Sequence, residues 1–147
     1  MATAKDFFTK DQVNAITSAI TGAEKNTSGE IRVHVENKCK GEVIDRAADL
    51  FRKLEMDKTK LRNGVLIYLA IGDRKFAIIG DSGINAVVPP DFWDGIKENM
   101  RTKFKEGKFE EGLCESISQS GEHLKKHFPR QSDDVNELPD DISFYGG

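Results

Sequence analysis

Four oxygen-bearing side chains stand out by where they fall in the chain: Glu30, Asp57, Asn63 and Asp81. Glu30 follows Ser28-Gly29, Asp57 opens a polar run that ends at Arg62, Asn63 precedes Gly64, and Asp81 sits inside Gly80-Asp81-Ser82-Gly83. Carboxylate and carboxamide oxygens are the ligands that hard cations such as Mg²⁺ or Ca²⁺ take. Asp81 is also the group that could position metal or water beside a phosphoryl centre, the one catalytic role these residues offer. Each residue has a plainer use as well. Glycines serve turns, aspartate caps them, and asparagine tolerates left-handed backbone. Which use prevails depends on whether the surrounding elements bring the four together.

Other constellations carry less. Gly80-Asp81-Ser82-Gly83 matches part of a serine-protease nucleophile sequence, but Ile84 follows, and a triad also needs a base and an orienting acid. His34 falls on the polar side of an alternating segment and is expected at the surface. His123 and His127 have helical metal-ligand spacing, yet no glutamate follows the first, and Lys125 and Lys126 between them suit a solvated helix end.

The elements that must position these groups are legible from periodicity. Thr9 and Gln12 form a capping box that opens a helix to Lys25, with Phe8 and Val13 at the staple positions and Val13, Ile16, Ile20 and Ala23 as the apolar stripe. Glu30 to Glu36 alternates and predicts a half-buried strand. Glu42 to Glu55 predicts a second helix on Val43, Ala47, Leu50, Phe51 and Leu54. Gly64 to Ile71 is apolar on both faces, as in a central strand covered by two layers. Gly72-Asp73 suits a tight hairpin turn, and Lys75 to Ile79 returns antiparallel. Pro89 or Pro90 opens a third helix that Gly107 ends, and Phe109 to Lys126 is a fourth. Phe92, Trp93, Phe104 and Phe109 fall at helical spacing.

The predicted order, α-β-α-β-β-α-α, contains one right-handed parallel βαβ crossover and one hairpin. The expected fold class is α/β: an α/β/α sandwich, a small mixed sheet with helices on both faces. In that topology the starts of the two parallel strands and the end of the hairpin strand share one edge of the sheet. Glu30, Asp57, Asn63 and Asp81 therefore converge there. The opposite edge, with Glu36-Asn37-Lys38 and Gly72-Asp73, lacks a glycine-rich phosphate loop and ranks second.

The chain has 147 residues and a formal charge of −3, enough length for one domain with a real core and no basic footprint for nucleic acid. Residues 1–128 are expected to form that domain. Residues 129–147 form an acidic tail, flexible or loosely docked, with Leu138, Ile142, Phe144 and Tyr145 as anchors. Cys39 and Cys114 fit no metal spacing and suggest reduced thiols. No signal core or membrane-length apolar run is visible, so a cytoplasmic monomer without membrane insertion is expected.

Several of these segments together resemble the TPM domain family. The quoted set is Ser28-Gly29-Glu30-Ile31, Arg46-Ala47-Ala48-Asp49-Leu50-Phe51, Asn63-Gly64-Val65-Leu66-Ile67, Gly80-x-x-Gly83 and Phe104-Lys105-Glu106-Gly107-Lys108-Phe109-Glu110-Glu111-Gly112-Leu113. The likeness spans about residues 9–128. With Asn136-Glu137-Leu138-Pro139-Asp140-Asp141-Ile142-Ser143 behind it, the chain is similar to small stand-alone bacterial members. The resemblance implies an α/β/α sandwich, divalent-metal binding near the sheet edge and, in some members, acid phosphatase activity. Where the family commonly has Gly-Tyr-Gly-Leu-Glu, this chain has Gly80-Asp81-Ser82-Gly83-Ile84, so a glutamate is lost and an aspartate gained. Three functions follow as expectations: a divalent-cation-binding domain, a metal-dependent phosphatase for phosphomonoesters, or an interaction module with a protein partner in membrane-complex assembly or repair. The last requires an exposed apolar patch, expected around Trp93.

Overall fold

A computed structural model describes residues 7–130 and 142–144. Helix α1 spans Lys10–Ala23. The Thr9 hydroxyl accepts from the Gln12 amide at 3.1 Å, and the Thr9 amide donates to Gln12 Oε1 at 2.9 Å, so the expected capping box forms. Strand β1 is Glu30–Glu36, helix α2 is Val43–Lys53, strand β2 is Gly64–Ala70 and strand β3 is Lys75–Gly80. A short helix α3, Ser82–Asn85, follows directly, then α4, Asp94–Lys105, and α5, Phe109–His127. Strand β4 is the two residues Ser143–Phe144.

The sheet order is β3-β2-β1-β4. β1 and β2 are parallel, with Glu30 opposite Gly64 and Glu36 opposite Ala70. β3 runs antiparallel to β2, with Val65 opposite Gly80. Every residue of β2 is buried, as a strand apolar on both faces requires. One face packs Ile31, Val33, Val35, Val65, Ile67 and Leu69 against α1, α4 and α5. The other packs Leu66, Tyr68, Ala70 and Ala77 against Ala47, Leu50 and Phe51 of α2. The result is the expected α/β/α sandwich. Burying one large aliphatic side chain of β2 stabilises by roughly 1.5–3 kcal/mol, which makes this strand the natural centre of the core. Cys39 and Cys114 are both free thiols. No helix among the described residues is long and apolar enough to cross a membrane.

Four expectations need correction. The hairpin loop is four residues long, between the paired Ala70 and Lys75. Its left-handed residue is Arg74 (φ 53°), and Gly72 is required for space instead: a Cβ there would lie 2.5 Å from Asn37 Oδ1. Helix α4 starts at Asp94 rather than at the prolines. Successive turns, Phe92 N–H to Pro89 O and Asp94 N–H to Asp91 O (both 3.1 Å), first carry Trp93 into the core. The polar face of β1 is not solvated, because His34 and Glu36 are 2% and 4% exposed. Finally, the sheet gains a fourth strand from the tail: Ser143 and Phe144 pair parallel to His34 and Val35, and Ile142 joins the core. Leu138 and Tyr145 lie outside the described residues. Gly107 (φ 80°) does end α4 as expected.

Candidate functional site

The three loops meet at one edge of the sheet, and Asn63 ties them together. Its amide N–H donates to Thr59 Oγ1 (3.3 Å), its carbonyl accepts from the Glu30 amide (3.3 Å), and its side-chain Nδ2 donates to Ser28 Oγ (3.3 Å). One residue further on, the Gly64 carbonyl accepts from the Asp81 amide at 3.0 Å. The Gly83 amide donates to the Arg62 carbonyl at 2.8 Å, and a Cβ on Gly83 would stand 2.1 Å from the Leu61 carbonyl oxygen. Only a glycine permits that approach. Glu30 and Asn63 are buried at this edge, at 3% and 1% exposure.

Asp81 does two things. As the N-cap of α3 it accepts from the Ser82 amide on Oδ1 at 2.7 Å. It also receives a two-point grip from Arg62, Nε to Oδ2 at 2.8 Å and a terminal nitrogen to Oδ1 at 3.1 Å. Arg62 holds left-handed backbone (φ 51°), fixed by the Gly83 contact to its carbonyl. Its guanidinium is held still more firmly in the charged form by the Asp81 hydrogen bonds and charge, with Asp57 adding to the effect. The sequence contains Arg62 but offers no sign of this pairing, which depends on the Gly83 approach.

Beside the pair opens a cavity of about 340 Å³ between α2 and the end of β3, lined by Arg52, Asp57, Arg62, Asp81, Ser82 and Asn85. Phe51 and Ile79 supply an apolar part of its wall. Two of the four expected site residues, Asp57 and Asp81, therefore share one cavity. Glu30 and Asn63 reach the same edge, but as buried ties between loops rather than as part of this lining.

The donor set can be weighed against a hard cation. Two carboxylates, a carboxamide and a hydroxyl face one space, and the Asp81 carboxylate already holds a cationic group, the Arg62 guanidinium. Among the described residues no three His, Cys, Asp or Glu side chains gather into a metal-holding group. Two carboxylates beside two arginines fall short of an all-protein calcium cage, and any cation held there would have to keep most of its waters.

At the opposite edge a second polar cluster is closed and buried. Arg46 grips Glu36 with Nε to Oε2 at 2.9 Å and a terminal nitrogen to Oε1 at 2.7 Å. The Tyr68 hydroxyl donates to Glu36 Oε2, and His34 Nε2 stands 3.2 Å from Glu36 Oε1. His34 Nδ1 faces Ser143 Oγ of β4 at 3.0 Å. Burial pushes the His34 pKa down and the Tyr68 pKa up. Burial alone would raise the Glu36 pKa, but hydrogen bonds from Arg46, Tyr68 and His34 outweigh it and hold it below the usual range. The expectation of a surface His34 is thus overturned by the tail strand and α2, which enclose it. The signal lay in the alternation Arg32, His34, Glu36 beside a strand buried on both faces, with Arg46 one helix away.

The remaining leads resolve simply. Trp93 is 7% exposed and belongs to the core, so its own ring offers none of the exposed apolar surface expected there. His123 and His127 lie against the Phe92 ring, with centroids 4.9 and 5.8 Å away.

Known proteins sharpen the setting. The model of the TPM domain matches residues 2–122. The chain is similar to the BA42 protein of the psychrophilic bacterium Bizionia argentinensis, solved by NMR, with 50% identity, a TM-score of 0.91, and coverage of 99% of this chain and 100% of that one. The N-terminal domain of a P. gingivalis protein shares 18% identity at TM-score 0.68, covering 82% and 78%. The N-terminal domain of the Corynebacterium glutamicum cg2496 protein shares 11% at 0.66, covering 89% and 82%. These two share the fold. Among curated proteins nothing matches.

Proposed function

This chain belongs to the TPM domain family, and from that premise we propose that it is a divalent-cation-binding domain whose site is the cavity between α2 and β3. The carrying observation is that Asp57 and Asp81 line one cavity in which the Asp81 carboxylate already attracts positive charge. Asp81 and Asp57 are the carboxylate ligands, and Asn85 and Ser82 add neutral oxygens beside them. Glu30 and Asn63 act one step back, holding the loops that aim Asp81. Mg²⁺ is the better fit and Ca²⁺ the alternative. Titration of each cation, followed by amide NMR, is expected to shift Gly80 to Asn85 together with Asp57. Asp81→Asn is expected to abolish those shifts and Asp57→Asn to weaken them. Shifts that cluster at another edge would place the site elsewhere.

A second reading, hydrolysis of phosphomonoesters, is favoured by the presence of Arg52 and Arg62 in the same lining. Guanidinium groups match the geometry of phosphate oxygens. The bound cation would supply Lewis acidity at the phosphoryl oxygen. Asp81 would position it, and the arginines would hold the remaining oxygens. Chelator-sensitive, saturable aryl phosphate hydrolysis lost in Asp81→Ala supports this reading. Hydrolysis that survives the substitution rejects it.

A further inference from the structure

One pair of side chains lies outside the site already described. His123 and His127 are four residues apart in the last turns of α5, Phe109–His127. At that spacing two side chains are neighbours on one face of a helix. Phe92 lies against both: its ring centroid is 4.9 Å from that of His123 and 5.8 Å from that of His127, in edge contact with each. Phe92 is itself fixed. Its N–H donates to Pro89 O at 3.1 Å, and its ring makes edge contact at 4.7 Å with Trp93, which belongs to the core. The two imidazoles are therefore held together from one side, while His127 is exposed and His123 half-buried. Among the described residues neither imidazole makes a hydrogen bond or an ion pair, whereas both nitrogens of His34 face partners, Ser143 and Glu36.

We propose that His123 and His127 form a bis-imidazole site for a divalent transition-metal ion of the copper, nickel or zinc class. Imidazole nitrogen suits these ions, whereas Mg²⁺ and Ca²⁺ take oxygen. The ring nitrogens are uncommitted, so a metal displaces no existing hydrogen bond. Contact with a fixed Phe92 ring restricts both imidazoles before binding, which lowers the ordering cost of chelation. Burial, with the charges of Lys126 and His127 adding to it, holds the His123 pKa below its ordinary value and favours the deprotonated form that a metal requires. The site also sits at the C-terminal end of α5, where the helix dipole favours a cation. Lys126 opposes this as the nearest like charge, while Lys125 falls on the opposite side of the helix. Among the described residues no third His, Cys, Asp or Glu completes a metal-holding group. The protein therefore fills two coordination positions and leaves the rest to water or a small ligand, the open arrangement of an accessible site. Neither histidine lines the α2–β3 cavity, so this inference stands or falls apart from the hard-cation reading.

The test uses the full chain with Zn²⁺ for NMR and Cu²⁺, which such ligands hold tightest in this series, for calorimetry. Zn²⁺ is expected to move the ring resonances of His123 and His127 along one isotherm while those of His34 stay in place. Excess Mg²⁺ is expected to leave that isotherm unchanged. His123→Gln and His127→Gln are each expected to weaken Cu²⁺ binding at least about tenfold, since each removes one of two ligands. Movement of one imidazole alone overturns the proposal, as does competition by Mg²⁺. A variant of either histidine that binds Cu²⁺ as the wild type does reduces the metal to an adventitious ion only and overturns it equally. Should either variant not fold, the wild-type ring resonances decide: joint movement supports the site, and separate movement or none rejects it.

Discussion

Ser143 Oγ lies 3.0 Å from His34 Nδ1, across 109 residues of sequence. The contact joins the last strand of the sheet to a buried histidine whose other nitrogen faces Glu36 Oε1. For a neutral imidazole the arrangement selects one tautomer: Nε2–H donates to Glu36, and Nδ1 accepts from the Ser143 hydroxyl. The tail is thereby part of the hydrogen-bond network on the α2 face as well as of the sheet.

Ile142 anchors that strand, at 7% exposure in the main core. Ile142→Ala is expected to loosen β4 without unfolding the domain, because local openings cost less than global ones. Hydrogen exchange should then rise at the β1 amides beside Ser143 and Phe144 while Ile67 in β2 stays protected. Equal acceleration at Ile67 would show that β4 is inseparable from the core.

Stability should fall with acid in two windows. The His34 pKa is lowered by burial, so the unfolded chain binds its proton first. The stabilisation is complete above the ordinary histidine value near 6.5 and is lost as pH falls from there through the lower folded value. Glu36 follows the same sign from its ordinary value near 4.5 downward, because the native state favours its carboxylate. Denaturant midpoints measured from pH 8 to about pH 2 should decline across both windows. His34→Gln is expected to flatten the upper one and leave the lower one in place.

Glu36→Ala removes the shared acceptor of Arg46, Tyr68 and His34 and leaves the Arg46 charge 13% exposed without its main partner. A loss of roughly 3 kcal/mol is expected from urea unfolding, since breaking one side of a buried pair strands the other. A loss below about 1 kcal/mol would put the pair in the class of exposed ion pairs.

Two glycine substitutions should act in opposite directions. Gly83→Ala forces a methyl to within 2.1 Å of the Leu61 carbonyl and 2.6 Å of the Arg62 carbonyl, so the loop that presents Arg62 must shift. A destabilisation of about 1–3 kcal/mol is expected, with loss of the Arg62–Asp81 pair. Gly22→Ala, in α1 with nothing within 4 Å, is expected to stabilise by about 0.4–1 kcal/mol through the unfolded chain. Thermal melts of both variants check the contrast.

The sequence carried most of the fold because its signals were local. The Thr9–Gln12 box, the 3.6-residue stripes and the doubly apolar Gly64 to Ile71 each declare an element without outside help. The convergence of Glu30, Asp57, Asn63 and Asp81 followed from strand direction alone. What escaped was non-local. β4 is two residues long, too short to show alternation. Burial of His34 and Glu36 depends on that strand and on Arg46. The grip of Arg62 on Asp81 depends on Gly83 letting two backbones approach. Pairings of this kind leave no periodic trace in the chain that makes them.

The position of β4 also sets a timetable. During synthesis β1 leaves the ribosome long before Ser143 exists, and 109 residues separate His34 from its partner. At about 5–20 residues per second, the outer edge of β1 waits on the order of 5–20 seconds for its fourth strand. Throughout that interval the open edge of β1 faces its surroundings unpaired, with the places of Ile142 and Phe144 still empty. Newly made chains are therefore at their most adhesive just before Ile142 to Phe144 arrive, and a chaperone that shields extended edges would have its widest opportunity then.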